Sequence, residues 1–255
     1  HQILKTKHIL LDTQGILTVT SQVFWGGLNQ KEIKQCVSFK EWIFPKKRLS
    51  QQKKQFEKRG EKETLILKHL EHISVQSDWV KSYVSFLHPE CNIQRTNIIL
   101  REEFYKAKIW EHKETDKPIL FASSASLLPY KGLHVLIRAT ALLKRIFPNI
   151  ELRIAGGYQA SKIRQDGYTR WLNKEIKKLG LQESVKWLGK LDASEITQEM
   201  LDASVSIIPS YIETYSLALA ESMMIGIPTV VSYAGAMPER ARHEDSALYF
   251  PIGDE

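Results

Sequence analysis

Only two cysteines, Cys36 and Cys91, occur in the 255 residues. No disulfide framework is therefore available, and the usage fits a reducing, cytoplasmic setting. No apolar run approaches the ~20 residues that a helix needs to cross a bilayer. None of the eight histidines stands in metal-ligand spacing with cysteine or aspartate. His69 and His72, with Glu71 between them, lie in a charged stretch and read as solvated, so no metal site is expected. There is no low-complexity tract, no repeat beyond strand–helix alternation and no nucleic-acid-binding motif. The chain opens at His1 with neither a methionine nor a signal peptide, which leads to the expectation of a piece of a longer protein.

What is present is globular: 43% hydrophobic and 25% charged residues, enough for one large or two modest domains. The net charge of +7 is unevenly placed. Residues 31–68 hold twelve lysines and arginines against five glutamates, an excess equal to that of the whole chain. With Phe39, Trp42, Ile43 and Phe44 alongside, this segment reads either as a solvated helix face or as a surface for an anionic membrane.

Apolar runs at residues 8–12 and 73–76 read as strands of an α/β unit, with residues 13–15 as a turn after the first. Helical stretches are expected to about residue 24, loosely over 28–43, and over a long polar segment, 48–72. Ser77 or Asp78 caps a further helix that runs to about Leu87. This unit begins in mid-fold, since a complete nucleotide-type fold needs several more strands before His8. Residues 105–117 are charged and end at Pro118, which places the boundary there: 1–104 a partial α/β domain, 105–117 a linker, 118–255 a second domain. That second domain alternates strands (from residues 119, 151, 185, 205, 229 and 248) with helices (133–144, 168–179, 193–202 and 217–225), a rhythm that predicts a parallel sheet covered on both faces.

An open parallel sheet binds ligands at the carboxyl ends of its strands. Four loops qualify: 123–131, 156–157, 188–191 and 210–216. In the last helix Leu217, Ala218, Leu219, Ala220, Met223, Met224 and Ile225 are apolar nearly all round, which implies burial. Glu221 sits inside it. An unpaired carboxylate there costs several kcal/mol, so Glu221 either faces a ligand's hydroxyls in a cleft or pairs with a cation elsewhere in the chain. Ser216 caps this helix and Gly226 ends it. The free N–H groups of residues 214–217 make a natural seat for phosphate.

Pro209-Ser210, Glu213, Glu221, Gly226-Ile227-Pro228 and the Gly235-to-Glu239 turn match, in order and spacing, the signature of the large retaining glycosyltransferase family that includes sucrose synthase and many bacterial polysaccharide transferases. The chain resembles that family. The resemblance implies a GT-B fold: a doubly wound parallel-sheet nucleotide-binding domain after an incomplete N-terminal acceptor-side α/β domain. It implies a nucleotide-diphosphate sugar as donor, a glycan or lipid-linked acceptor, cell-surface polysaccharide synthesis, no metal or other cofactor, and a cytoplasmic place, peripheral at the inner membrane face.

The resemblance also suggests roles. Glu221 binds the ribose hydroxyls and Glu213 lies near the transferred sugar. Lys131 grips the diphosphate, and the amides of Thr214, Tyr215, Ser216 and Leu217 hold sugar or phosphate oxygens. Leu188 and Leu191 flank the base, and Gly156 lets backbone approach the donor. The chain departs from the pattern at three places. Ser126 stands where the family has a second phosphate-gripping arginine. Thr214-Tyr215-Ser216 replaces Gly-Phe-Gly, which narrows the sugar pocket. Gln14 replaces an acceptor-side histidine, so it orients the sugar and moves no proton. Retention tolerates that, because the leaving phosphate takes the acceptor's proton. The chain is expected to bind nucleotide with weak or no turnover. An epimerase of the same fold, or a catalytically silent sugar-nucleotide sensor or membrane scaffold suggested by Ser126 and Gln14, are the alternatives.

Overall fold

The computed structural model describes residues 10–44, 48–124, 126–157 and 165–255. His8 and Ile9 of the expected first strand, and Lys46 and Lys47 of the basic segment, lie outside them. The first part runs β1 (Leu10–Thr13), α1 (Leu17–Gln22), α2 (Gln30–Gln35), α3 (Phe39–Ile43), α4 (Leu49–Leu67), β2 (His72–Val75), α5 (Asp78–Leu87), β3 (Asn92–Arg95) and α6 (Glu102–Lys106). The second runs β4 (Ile119–Ser124), α7 (Leu133–Leu143), β5 (Glu151–Gly156), α8 (Gly167–Lys178), β6 (Val185–Gly189), α9 (Ala193–Asp202), β7 (Val205–Ile208), α10 (Leu217–Ile225), β8 (Thr229–Ser232) and β9 (Leu248–Phe250).

Two all-parallel sheets result. One has three strands in the order β1-β2-β3. The other has six, in the order β6-β5-β4-β7-β8-β9. The topology reverses between β4 and β7, and a crevice opens at the carboxyl ends there. The strands of the second sheet and its long helices lie where the apolar pattern predicts them.

The first part differs from its expected layout in four ways. Thr13 extends β1 instead of starting a turn, because its hydroxyl donates to the Ser74 carbonyl at 2.8 Å. Residues 28–43 form two helices, not one. Asn29 opens α2 with a reciprocal capping box to Glu32, and the chain breaks where buried Glu41 accepts from the Ser38 and Gly167 amides. The long helix α4 ends at Leu67, before residue 72. Strand β3 and helix α6 are unforeseen, since β3 is a polar edge strand and α6 is only five residues long.

Packing crosses the expected boundary between the two parts. Phe24, Leu28, Cys36 and Leu49 share one hydrophobic cluster with Leu120, Leu133, Tyr168 and Trp171. Buried His134 stitches the seam: one ring nitrogen lies 2.7 Å from the Gly26 carbonyl and the other 2.8 Å from the Tyr168 hydroxyl. Burial lowers its pKa to about 4, so the ring is neutral at pH 7. Nε2–H donates to the carbonyl and Nδ1 accepts from the hydroxyl. The expected linker is itself strapped down, as Trp110 donates its amide to Ile225 and its indole N–H to Ala203, both at 2.8 Å.

At the start of β5, buried Glu151 receives Lys117, Lys186 and Arg153 at 2.8, 2.8 and 2.6 Å. Burial raises its pKa, but the three cations outweigh burial and hold it at about 2, below the ordinary 4.5. A folded-state pKa below the unfolded one stabilises above pH 4.5, and the gain is lost as pH falls towards 2. The expected loss is on the order of 2 kcal/mol, allowing for the half-exposed lysines. Urea melts of wild type and Glu151→Gln at pH 6 and pH 3 check this: the two proteins should converge as the pH falls. A constant gap would show that the cluster does not couple to the fold in this way.

Candidate functional site

Where β4, β5, β6 and β7 end, their loops enclose a cavity of about 510 Å³. Its lining includes Ser123, Ser124, Lys131, Gly156, Gly157, Lys190, Leu191, Ser210, residues 213–218 and Glu221, with Gln14, Ile98 and Arg101 contributed from the first part of the chain. Among the predicted residues, the structure brings together Lys131, Glu213, Gly156, Leu191, Thr214, Tyr215, Ser216, Leu217, Glu221 and Gln14. Ser126 and Leu188 are not in the lining. In the loop after β4, the Ser126 carbonyl accepts from the Ser124 hydroxyl at 2.7 Å. Leu188 packs into the cluster of Ala155 and Ile196, so Lys190 and Leu191 carry that loop's contribution to the cavity.

The loop between β7 and α10 is held from below. The Lys131 ammonium lies 2.7 Å from Glu213 Oε1, and the Ser210 hydroxyl donates to the same oxygen at 2.7 Å. Burial opposes the charge on Lys131, but the Glu213 carboxylate overrides it and raises the pKa above the ordinary 10.5. Lys131 is thus a permanent cation in the cavity wall. Gly132 next to it packs its α-carbon on the Pro209 carbonyl. Gly156 is equally tight: a Cβ there would lie 1.8 Å from the Ser124 carbonyl oxygen.

Ser216 adopts φ +63° in the left-handed region and caps α10 through its hydroxyl, which accepts from the Leu219 amide at 3.3 Å. The Leu217 and Ala218 amides have no acceptor among the described residues and open at the cavity. A helix start of this kind, with Lys131 in the same wall, favours an anion. A non-glycine residue in this conformation costs about 1 kcal/mol or more and recurs at functional sites.

Glu221, with its side chain only 7% exposed, takes the second of the two expected arrangements, a protein cation, and keeps a place in the cavity wall. Arg101 Nη2 lies 2.9 Å from its Oε1, so it has a protein cation; it also lines the open cavity. Burial raises its pKa and Arg101 partly offsets the rise.

Two contacts close the far wall. The Thr214 hydroxyl donates to the Gln14 carbonyl at 3.2 Å. The Tyr215 hydroxyl donates to the Ile98 carbonyl at 3.2 Å, beneath the Arg240 guanidinium, 3.6 Å from its ring. Outside the cavity, Glu239 accepts the Asp78 and Trp79 amides at the start of α5, at 2.6 and 2.5 Å. Arg101 and Ile98 are lining residues from the first part that the sequence reading missed. The available signal for Arg101 was Glu221 itself, an acid in an apolar helix that needed a cation.

Residues 105–255 match the family described as Glycosyl transferases group 1. The chain is 33% identical over 120 residues to the MMP alpha-(1->4)-mannosyltransferase of Mycolicibacterium hassiacum, a match covering 47% of this chain and 27% of that one. In structure it is similar to sucrose-phosphate synthase from Thermosynechococcus elongatus, with a TM-score of 0.67 at 18% identity over 96% of this chain and 55% of that one. It is also similar to Anabaena Alr3699/HepE, solved with UDP and glucose, with a TM-score of 0.64 at 17% identity over 96% of this chain and 58% of that one. The two parallel sheets are those of the GT-B fold. The chain thus spans about a quarter of that curated relative and somewhat over half of the two solved structures.

Proposed function

Because the chain belongs to the glycosyl transferases of group 1, we propose that its cavity binds a nucleotide-diphosphate sugar and that the protein transfers the sugar, with retention, to a glycan or lipid-linked acceptor. One observation carries this reading. A partly buried cation (Lys131), an open helix start (Ser216) and two carboxylates (Glu213, Glu221) converge on a single cavity at the sheet's switch point.

The donor would lie across the strand ends, with its base by Leu191 and its ribose hydroxyls donating to Glu221. Its diphosphate would rest on Lys131 and the α10 amides, where preorganised positive charge stabilises the departing phosphate. The bond from the anomeric carbon to the phosphate oxygen breaks while the acceptor hydroxyl bonds on the same face. The acceptor's proton passes to the leaving phosphate, and no residue of this chain is needed as base. Glu213, held by Lys131 and Ser210, sits beside the sugar.

Calorimetric titration with UDP, ADP and GDP tests the reading. Micromolar binding of one of them is expected; binding of none would end it. Solvent deuterium entering C2 of a bound nucleotide sugar would instead identify an epimerase.

The acceptor side has an observation of its own. Trp42, Ile43 and Phe44 are 67, 49 and 61% exposed, within the segment that carries the chain's excess positive charge. We propose that this face attracts an anionic membrane. Flotation with phosphatidylglycerol vesicles should carry the protein up at low salt, and Trp42→Ser with Phe44→Ser should abolish it. Equal flotation with phosphatidylcholine alone would discard the electrostatic account.

A further inference from the structure

Resting on the donor-site reading above, we propose that Arg101, on the connector between the two sheets, is a positioning residue for Glu221: it holds the carboxylate ionised and aimed so that its remaining lone pairs accept from the donor's ribose. The guanidinium is placed from two sides. It lies 5.1 Å from the centroid of the Phe104 ring, which is buried at the core of α6, and it donates to Glu221 Oε1 at 2.9 Å. It is not a plug in the cavity. One of about four carboxylate lone-pair sites is used, and Oε2 has no hydrogen bond among the described residues while Glu221 lines the cavity. Ribose hydroxyls and Arg101 fit on the same carboxylate together.

A role through charge follows from the surroundings. Glu221 lies in an apolar helix packed on α6, α9, β7 and β8. On α6, Glu102 and Lys106 pair with each other at the surface, and on α9 Glu199 pairs with Arg153. Lys131 and Glu213, across the cavity, are also paired with each other, and Lys190 lies on the loop after β6. Arg101 is the cation that meets Glu221 directly. Without it, burial alone acts on the acid, whose protonated form offers a poorer acceptor to hydroxyls.

Two measurements on the intact chain test this. In the first, the ligand-free carboxyl resonance of Glu221, assigned by its loss in Glu221→Gln, is titrated by ¹³C NMR. Arg101→Ala should move the midpoint up, and Arg101→Lys should restore most of the wild-type value. An unmoved midpoint overturns the proposal even if no nucleotide binds. In the second, UDP, ADP and GDP are titrated at pH 8 and pH 6. Arg101→Ala should lose roughly tenfold in affinity at pH 6 and clearly less at pH 8, with Arg101→Lys between wild type and Arg101→Ala. Tighter binding by Arg101→Ala at both pH values would make Arg101 an obstacle and overturn the proposal. So would an equal loss at both, which a merely structural role predicts. Failure of wild type to bind any of the three refutes the donor-site reading instead, and is distinguished by occurring without any substitution.

Discussion

Lys131→Ala is expected to weaken nucleoside-diphosphate binding by roughly ten- to a hundredfold, the range for a charge-assisted hydrogen bond in a sheltered cleft. Lys131 is a partly buried cation in the cavity wall, and its three donors leave room for a phosphate beside Glu213. The same substitution strips Glu213 of its cation while Ser210 remains, which should cost about 1–3 kcal/mol of stability because the acid keeps some access to water. The two effects separate in Lys131→Ala with Glu213→Gln. Removing the stranded charge should recover most of the stability but none of the phosphate affinity. Urea melts and calorimetry read them independently. Wild-type affinity in Lys131→Ala would remove this residue from the phosphate site.

Gly132→Ala should cost about 3 kcal/mol and loosen the site as well. The residue has φ +70°, and a Cβ would lie 1.9 Å from the Pro209 carbonyl oxygen. The carbonyl is backbone and a Cβ is fixed to its own backbone, so nothing swings aside, and the loops bearing Lys131 and Ser210 must part. Gly180 supplies the control, with nearly the same φ of +69° and nothing within 4 Å of its would-be Cβ. Gly180→Ala pays only the conformational cost of about 1 kcal/mol, so the difference between the two melts isolates the clash. Equal losses would mean that the loops do not meet as closely as the structure shows.

These expectations draw unequally on sequence and structure. The six-stranded sheet follows from local pattern: short apolar runs, Ser216 as a cap and Gly226 as a stop act within a few residues of one another. The Pro209-to-Glu239 signature lies on one contiguous strand–loop–helix unit, so Glu213, Ser216 and Glu221 were legible as neighbours. Strand β3 was not, because its four residues, Asn-Ile-Gln-Arg, hold a single apolar side chain, too little for a pattern, and pair with β2.

What the chain's order of residues determined by itself, then, is the α/β rhythm, the family and the loop-and-helix unit at the heart of the cavity, since periodicity and capping act over one turn. What tertiary structure alone decided is which distant groups meet there. Arg101 reaches Glu221 across 120 residues, Phe24 and Leu28 join the core of the second sheet, and Ser126 stays out of the cavity lining. Such pairings depend on the path of the folded chain, and a buried charge records only that it needs a partner, not where the partner comes from.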